Sequence, residues 1–212
     1  MKDTTLKLID QMLAKEPTLA LCRNSLIDAV ERLCLCFSQG HALYVCGNGG
    51  SASDAEHIVG ELVKAFRNKR KMTQEERERF AETYPEDEAL VEHLQIGFPA
   101  YSLVSGTAIM TAIINDLGGE YIYAQQANAY LKKGDVLWGI STSGNSVPVQ
   151  LAMKVARLKG AQIIAMTGSS GGQMAALADL TLRSTEQETY LVQQQHIVFY
   201  HIVCAAVEEE LI

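Results

Sequence analysis

Twice in this chain an apolar run gives way to a loop of small residues and then to a helical pattern, and no other feature limits the fold as much. In the first case Ala42-Leu43-Tyr44-Val45-Cys46 has the length and composition of a buried strand. Gly47-Asn48-Gly49-Gly50-Ser51 follows it. From Ser51 to Phe66 the apolar residues Ala55, Ile58, Val59 and Leu62 then recur at helical spacing. The glycines let the backbone take positive φ and pass close to a ligand. Ser51 stands where an N-cap belongs, with free amides and a positive helix end aimed at whatever binds. The expected guest is a phosphate. Ala52 replaces the third glycine of the dinucleotide fingerprint, and no Gly-Lys-Ser/Thr of a Walker loop follows.

The second case is Asp135-Val136-Leu137-Trp138-Gly139-Ile140, followed by Ser141-Thr142-Ser143-Gly144-Asn145-Ser146 and a helical pattern from Val147 to Lys159. The hydroxyls of this loop can donate to phosphate oxygens alongside its amides. Either loop alone is an ordinary turn as readily as a binding loop; two on separate strand–helix units point to a phosphorylated ligand.

Further strands are expected at Tyr101–Val104, Gln162–Met166 and Leu180–Arg183. Helices are expected at Thr107–Asn115, Tyr121–Leu131, in a short piece ending at Ala178, and at Gln187–Leu211. Strands alternating with helices give a parallel sheet covered on both faces. Ligands of such sheets bind beyond the carboxyl ends of the strands, at a switch point in strand order, and both loops fall there. Residues 4–38 read as helical, with a break at Glu16-Pro17-Thr18 where Thr18 would cap the second part. The apolar residues Leu26, Ile27, Val30, Leu33, Leu35 and Phe37 make more than one stripe, so this helix needs cover on more than one side.

Residues 67–95 differ in composition: 14 of these 29 are charged, against 43 of 212 overall. Thr73-Gln74-Glu75-Glu76 has the pattern of a capping box, and Pro85-Glu86-Asp87-Glu88 can open a second short helix. The stretch reads as a solvated helical insertion, with a lid over the site as the alternative. The net charge of −7 argues against nucleic acid as a partner. Five cysteines, at 22, 34, 36, 46 and 204, lack zinc-finger or thioredoxin spacing and are expected reduced and buried. The charged start and the lack of a membrane-length apolar run give the expectation of a cytoplasmic protein without a membrane partner.

Gly47-Asn48-Gly49-Gly50-Ser51, with Ser141 to Ser146 later, resembles the loops of sugar isomerase (SIS) domains, and within them the phosphoheptose isomerases. The resemblance covers residues 40–212, interrupted by 67–95. It implies one SIS domain over 1–212: a three-layer α/β sandwich on a five-stranded parallel, flavodoxin-like sheet, with residues 1–38 as a helical oligomerisation segment. It implies zinc on His57, Glu61, Gln193 and His201, with Glu61 and His201 as the acid–base pair. Substrate would be held by Asn48, Gly49, Gly50, Ser51, Ser141, Thr142, Ser143, Ser146 and Gln193. The implied reaction converts sedoheptulose 7-phosphate to D-glycero-D-manno-heptose 7-phosphate, for the heptose of lipopolysaccharide core or a related glycan. His41 and His196 look like bystanders, and His93 lies in the insertion.

The sequence departs from the family pattern at three positions. Ala65 replaces an arginine, Tyr190 an aspartate, and Gly106 an aspartate of the loop after the second strand. Some SIS proteins are regulators that bind phosphosugars or the replication initiator without catalysis. Those tend to lose the zinc and acid–base residues, whereas all four stand here.

Gln193 and His201 are eight residues apart in one helical pattern. That separation is about 12 Å of rise, whereas zinc–ligand bonds are only about 2 Å long. Either the helix begins after Gln193, or the two residues reach one ion from different chains. The over-apolar first and last helices favour the second, so a homo-oligomer with sites at subunit interfaces is expected, and the family resemblance implies a tetramer.

Overall fold

The computed structural model describes residues 1–212, the side chain of Glu88 excepted. Strands β1 (Leu43–Gly47), β2 (Ala100–Ser102), β3 (Val136–Ser141), β4 (Gln162–Thr167) and β5 (Leu180–Arg183) form one sheet in the order β2-β1-β3-β4-β5. Every neighbouring pair is parallel. The order reverses between β1 and β3, so the crevice beyond their carboxyl ends is the switch point.

Residues of β3 are buried throughout, as a strand covered on both faces requires. Val136, Trp138 and Ile140 join the core under α1 (Asp3–Leu13), α2 (Arg23–Ser38), α3 (Gly50–Val63) and α10 (Thr189–Leu211). Leu137, between them, faces the opposite core. That side is closed by α6 (Thr107–Asp116), α7 (Ile122–Tyr130), α8 (Val147–Lys159) and the short α9 (Met174–Leu177). This is the expected three-layer α/β sandwich. Among the described residues no helix is long and apolar enough to cross a membrane. The cysteines are free; four are buried and Cys34 is half-buried.

Two local expectations are corrected. Thr18 does not cap α2. Pro17 starts a 3-10 turn, Pro17–Cys22, and α2 follows it at Arg23 without a side-chain cap. Strand β2 ends at Ser102 rather than Val104, because the Ser102 hydroxyl accepts the Val104 N–H at 3.3 Å and bends the chain off the sheet edge.

The insertion forms α4 (Gln74–Thr83) and α5 (Glu88–His93). The capping box at α4 is present: Glu76 N–H donates to Thr73 Oγ1 at 3.2 Å, and Thr73 N–H to Glu76 Oε2 at 2.9 Å. Helix α4 buries none of its residues. One residue near the start of the insertion is the exception to solvation. Arg70 is fully buried, donates to the Leu62 and Glu61 carbonyls at 2.9 and 3.0 Å, and approaches Glu208 Oε1 of α10 to 3.2 Å.

Candidate active site

The first loop is built as the sequence suggests, with one change. Gly49, at φ 58°, is the N-cap of α3, and Ser51 lies inside the helix. Only glycine takes that backbone angle cheaply, and the turn it makes carries the Ser51 N–H back to the Asn48 carbonyl at 3.1 Å. Ser51 therefore brings a hydroxyl to the loop, not a free amide. A Cβ at Gly47 would press into Ser51, which fixes how closely strand and helix meet there.

Helix α8 opens directly after the second loop, with Ser146 as its N-cap. The two loops are joined: Asn48 Nδ2 donates to Ser146 Oγ at 2.7 Å. From below, the buried Tyr123 hydroxyl stands 2.6 Å from the Gly47 carbonyl and 2.9 Å from Asn48 Oδ1. The loop after β4 braces the second loop in turn. Gly168 N–H donates to the Thr142 carbonyl at 2.9 Å, Met174 N–H to the Gly144 carbonyl at 2.9 Å, and Gln173 N–H to Asn145 Oδ1 at 3.0 Å. Asn48, Gly49, Gly50, Thr142, Ser143 and Ser146 thus rim one cradle at the switch point, with Ser51 and Ser141 buried beneath it. Its floor is rigid.

On α3, His57 and Glu61 meet one turn apart, with His57 Nε2 3.1 Å from Glu61 Oε1. Lys64 Nζ donates to Glu61 Oε2 at 2.9 Å, beside the Ala65 departure. The His201 ring stands against His57 edge-on, centroids 5.1 Å apart, and is flanked by Phe66. Burial raises the Glu61 carboxyl, but Lys64 and then His57 outweigh it and leave the pKa below the ordinary value. Burial, and then the His57 charge, lower His201, with Glu61 opposing. At neutral pH the pair is an ionised carboxylate and a neutral imidazole, both able to take up a proton.

Two members of this cluster escaped the sequence reading. Asp54 is buried beside His57, and burial pushes its pKa up to about 6 against the pull of His57 and the Tyr200 hydroxyl. Its spacing of three residues from His57 on one helix was the available signal. Tyr200, buried on α10, places its hydroxyl 2.9 Å from His57 Nδ1. Nothing in its apolar neighbourhood marked it. His196 is a bystander of the site in that it is wholly buried, and burial pushes its pKa down to about 4.

Gln193 does not join the cluster. It stands over Gly50, where a Cβ would collide with its amide. Helix α10 runs unbroken from Thr189, so the alternative of a helix beginning after Gln193 is overturned. Among the described residues no three His, Cys, Asp or Glu side chains are placed to share one metal ion. The donor chemistry of His57 and Glu61 nevertheless suits zinc: their 3.1 Å separation is close to the roughly 3.3 Å edge of a tetrahedron of 2.0–2.1 Å bonds. His201 is not placed with these two as a third ligand, contrary to the expectation. Of the other departures, Tyr190 lies exposed on the first turn of α10, and Gly106 is the N-cap of α6.

The SIS domain model matches residues 108–206. A phosphoheptose isomerase of Citrifermentans bemidjiense is 39% identical over 175 residues, covering 82% of this chain and 78% of that protein. One of Aneurinibacillus thermoaerophilus is 35% identical over 202 residues, covering 95% and 87%. The solved structure of a phosphoheptose isomerase from Neisseria gonorrhoeae superposes with a TM-score of 0.72 at 28% identity, covering 97% of this chain and 94% of that one.

Proposed function

This chain belongs to the phosphoheptose isomerases of the SIS group, and on that premise we propose that it converts sedoheptulose 7-phosphate to D-glycero-D-manno-heptose 7-phosphate with zinc at the His57–Glu61 pair. One observation carries the reading. Ser51 of the cradle and His57 are six residues apart on α3, about 9 Å of rise, which is the reach of an open-chain sugar from its phosphate end to its carbonyl end. The hydroxyl loops hold the phosphate and thereby orient the reacting carbons. Glu61 and His201, adjacent through His57, take the proton from C1 and return one at C2, with an enediolate between. Zinc, when bound, supplies Lewis-acid stabilisation of the negative charge on the substrate oxygens. His57 and Glu61 of one chain, with Gln193 from another, would hold it.

Glu61→Gln and His201→Asn are expected to lower turnover of sedoheptulose 7-phosphate by about 100- to 10,000-fold, with the unfolding transition retained. A His201→Asn protein that keeps near-normal turnover would overturn the assignment. So would a zinc-loaded wild type that leaves this substrate unchanged.

A further inference from the structure

Behind His57, on the side away from Glu61, the Tyr200 hydroxyl lies 2.9 Å from Nδ1, and the buried Asp54 carboxyl stands beside that hydroxyl. Tyr200 is 1% exposed, so its O–H has no water to bond and must be satisfied by these neighbours. We infer that Tyr200, with Asp54 behind it, is the positioning residue that holds the His57 ring with Nε2 turned to Glu61.

The hydrogen-bond inventory argues for this. Glu61, held ionised by Lys64, can only accept, so in the metal-free chain His57 Nε2 carries the proton and donates to it. Nδ1 is then an acceptor and takes the Tyr200 O–H. When Nε2 gives its lone pair to a metal instead, the ring proton must sit on Nδ1, and that site needs an acceptor. A hydroxyl meets both demands: its oxygen accepts from Nδ1–H while its proton turns to Asp54. A carboxylate in its place could serve only the second state, and an apolar residue neither. The pocket also restrains the ring by shape, since the Tyr200 and His201 rings both meet His57 edge-on, at 5.2 and 5.1 Å between centroids. His57 itself is the exposed end of this chain of contacts, its side chain 45% accessible, so the hydroxyl is what distinguishes one ring tautomer from the other at Nδ1.

The metal part of this rests on the proposed function, whereas the orientation of the ring does not. Tyr200→Phe keeps the aromatic volume and removes the hydroxyl. In metal-free protein labelled with ¹⁵N-histidine, with His57 assigned through His57→Gln, the wild type is expected to show one tautomer, protonated at Nε2. The variant is expected to show the averaged shifts of a ring exchanging between tautomers. In chelator competition the variant is expected to bind zinc about 10- to 100-fold more weakly, as loss of an outer partner of a ligating histidine does. Asp54→Asn, which retains a carbonyl acceptor for the hydroxyl, is expected to keep the tautomer. Unchanged His57 nitrogen shifts in Tyr200→Phe overturn the inference, as does a mixed tautomer already present in the wild type. A wild type that shows the expected tautomer but binds no zinc supports the positioning role and counts against the metal reading alone.

Discussion

His196 lies five residues before His201 on α10, yet it shares nothing with the site. It is wholly buried near the end of β4, and burial pushes its pKa down to about 4, with the Thr167 backbone opposing. The free imidazole value is near 6.5, so as pH falls the unfolded chain takes up a proton before the folded one does. Stability tied to His196 is therefore complete above about pH 6.5 and is lost as pH falls towards about 4. A gap of that size corresponds to roughly 3 kcal/mol. Asp54 acts in the opposite sense, because burial raises it to about 6 and the folded chain holds its proton first as pH falls. Comparing wild type with His196→Gln removes the Asp54 contribution. In urea unfolding of metal-free protein, the wild type should lose stability between pH 6.5 and 4.5 relative to the variant. Parallel curves would show that His196 does not stay neutral in the fold. His196 was separable from His57 only through the family resemblance, which matches His57 and His201, whereas Tyr200 gave no sign: its hydroxyl matters only through a partner 143 residues away.

At the scale of elements, the insertion divides into a part that holds the fold and a part that does not. Arg70 closes the carboxyl end of α3 through the Glu61 and Leu62 carbonyls, lies over the Phe98 ring at 4.5 Å, and faces Glu208. Glu208 in turn accepts the N–H groups of Phe66, Arg67 and Asn68. Helix α4 buries nothing, and the isolated bridge between Lys71 and Gln95 brings the two ends of the insertion side by side. Arg70→Met should therefore cost about 3–5 kcal/mol, the usual consequence of leaving one member of a buried ion pair alone. Replacing residues 73–93 by a short glycine-containing turn should change the unfolding free energy by no more than about 1 kcal/mol, the scale of surface changes. Equal losses from both changes in denaturant titrations would contradict this division. The capping box of α4 was legible because it lies within four residues. Arg70 was not, since a charged residue in a charged stretch looks solvated until Glu208, far along the chain, is seen to enclose it. Edges of elements were read less well than their centres: the Ser102 hydroxyl shortens β2, and Gly49 rather than Ser51 caps α3.

For the whole molecule, the decisive geometry is that α3 and α10 run side by side in the same direction. Gln193 lies level with Gly50, His201 with His57, and Glu208 with the segment after α3. Gln193 is thus about two turns, roughly 12 Å, from the cluster that it would need to join within its own chain. A neighbouring chain can bring it there. The surface has room for such a neighbour: α6 buries only Ile113, while Ile109 and Ile114 on the same helix and Leu117 just beyond it are exposed, and Leu35 of α2 is exposed as well. An apolar helix with so little cover is stable in water only against another surface. A homo-oligomer, with Gln193 of one chain facing the His57–Glu61–His201 cluster of another, accounts for both observations. Gln193→Ala and His201→Ala proteins should each be inactive alone. Unfolded together and refolded as a mixture, they would form some sites in which an intact Gln193 meets an intact His201. Activity should then return to the fraction set by random assortment of chains. If mixed oligomers, verified by differently tagged chains, stay as inactive as either parent, every site is completed within one chain. Helix α10 would then have to break between Gln193 and His201 in the working enzyme.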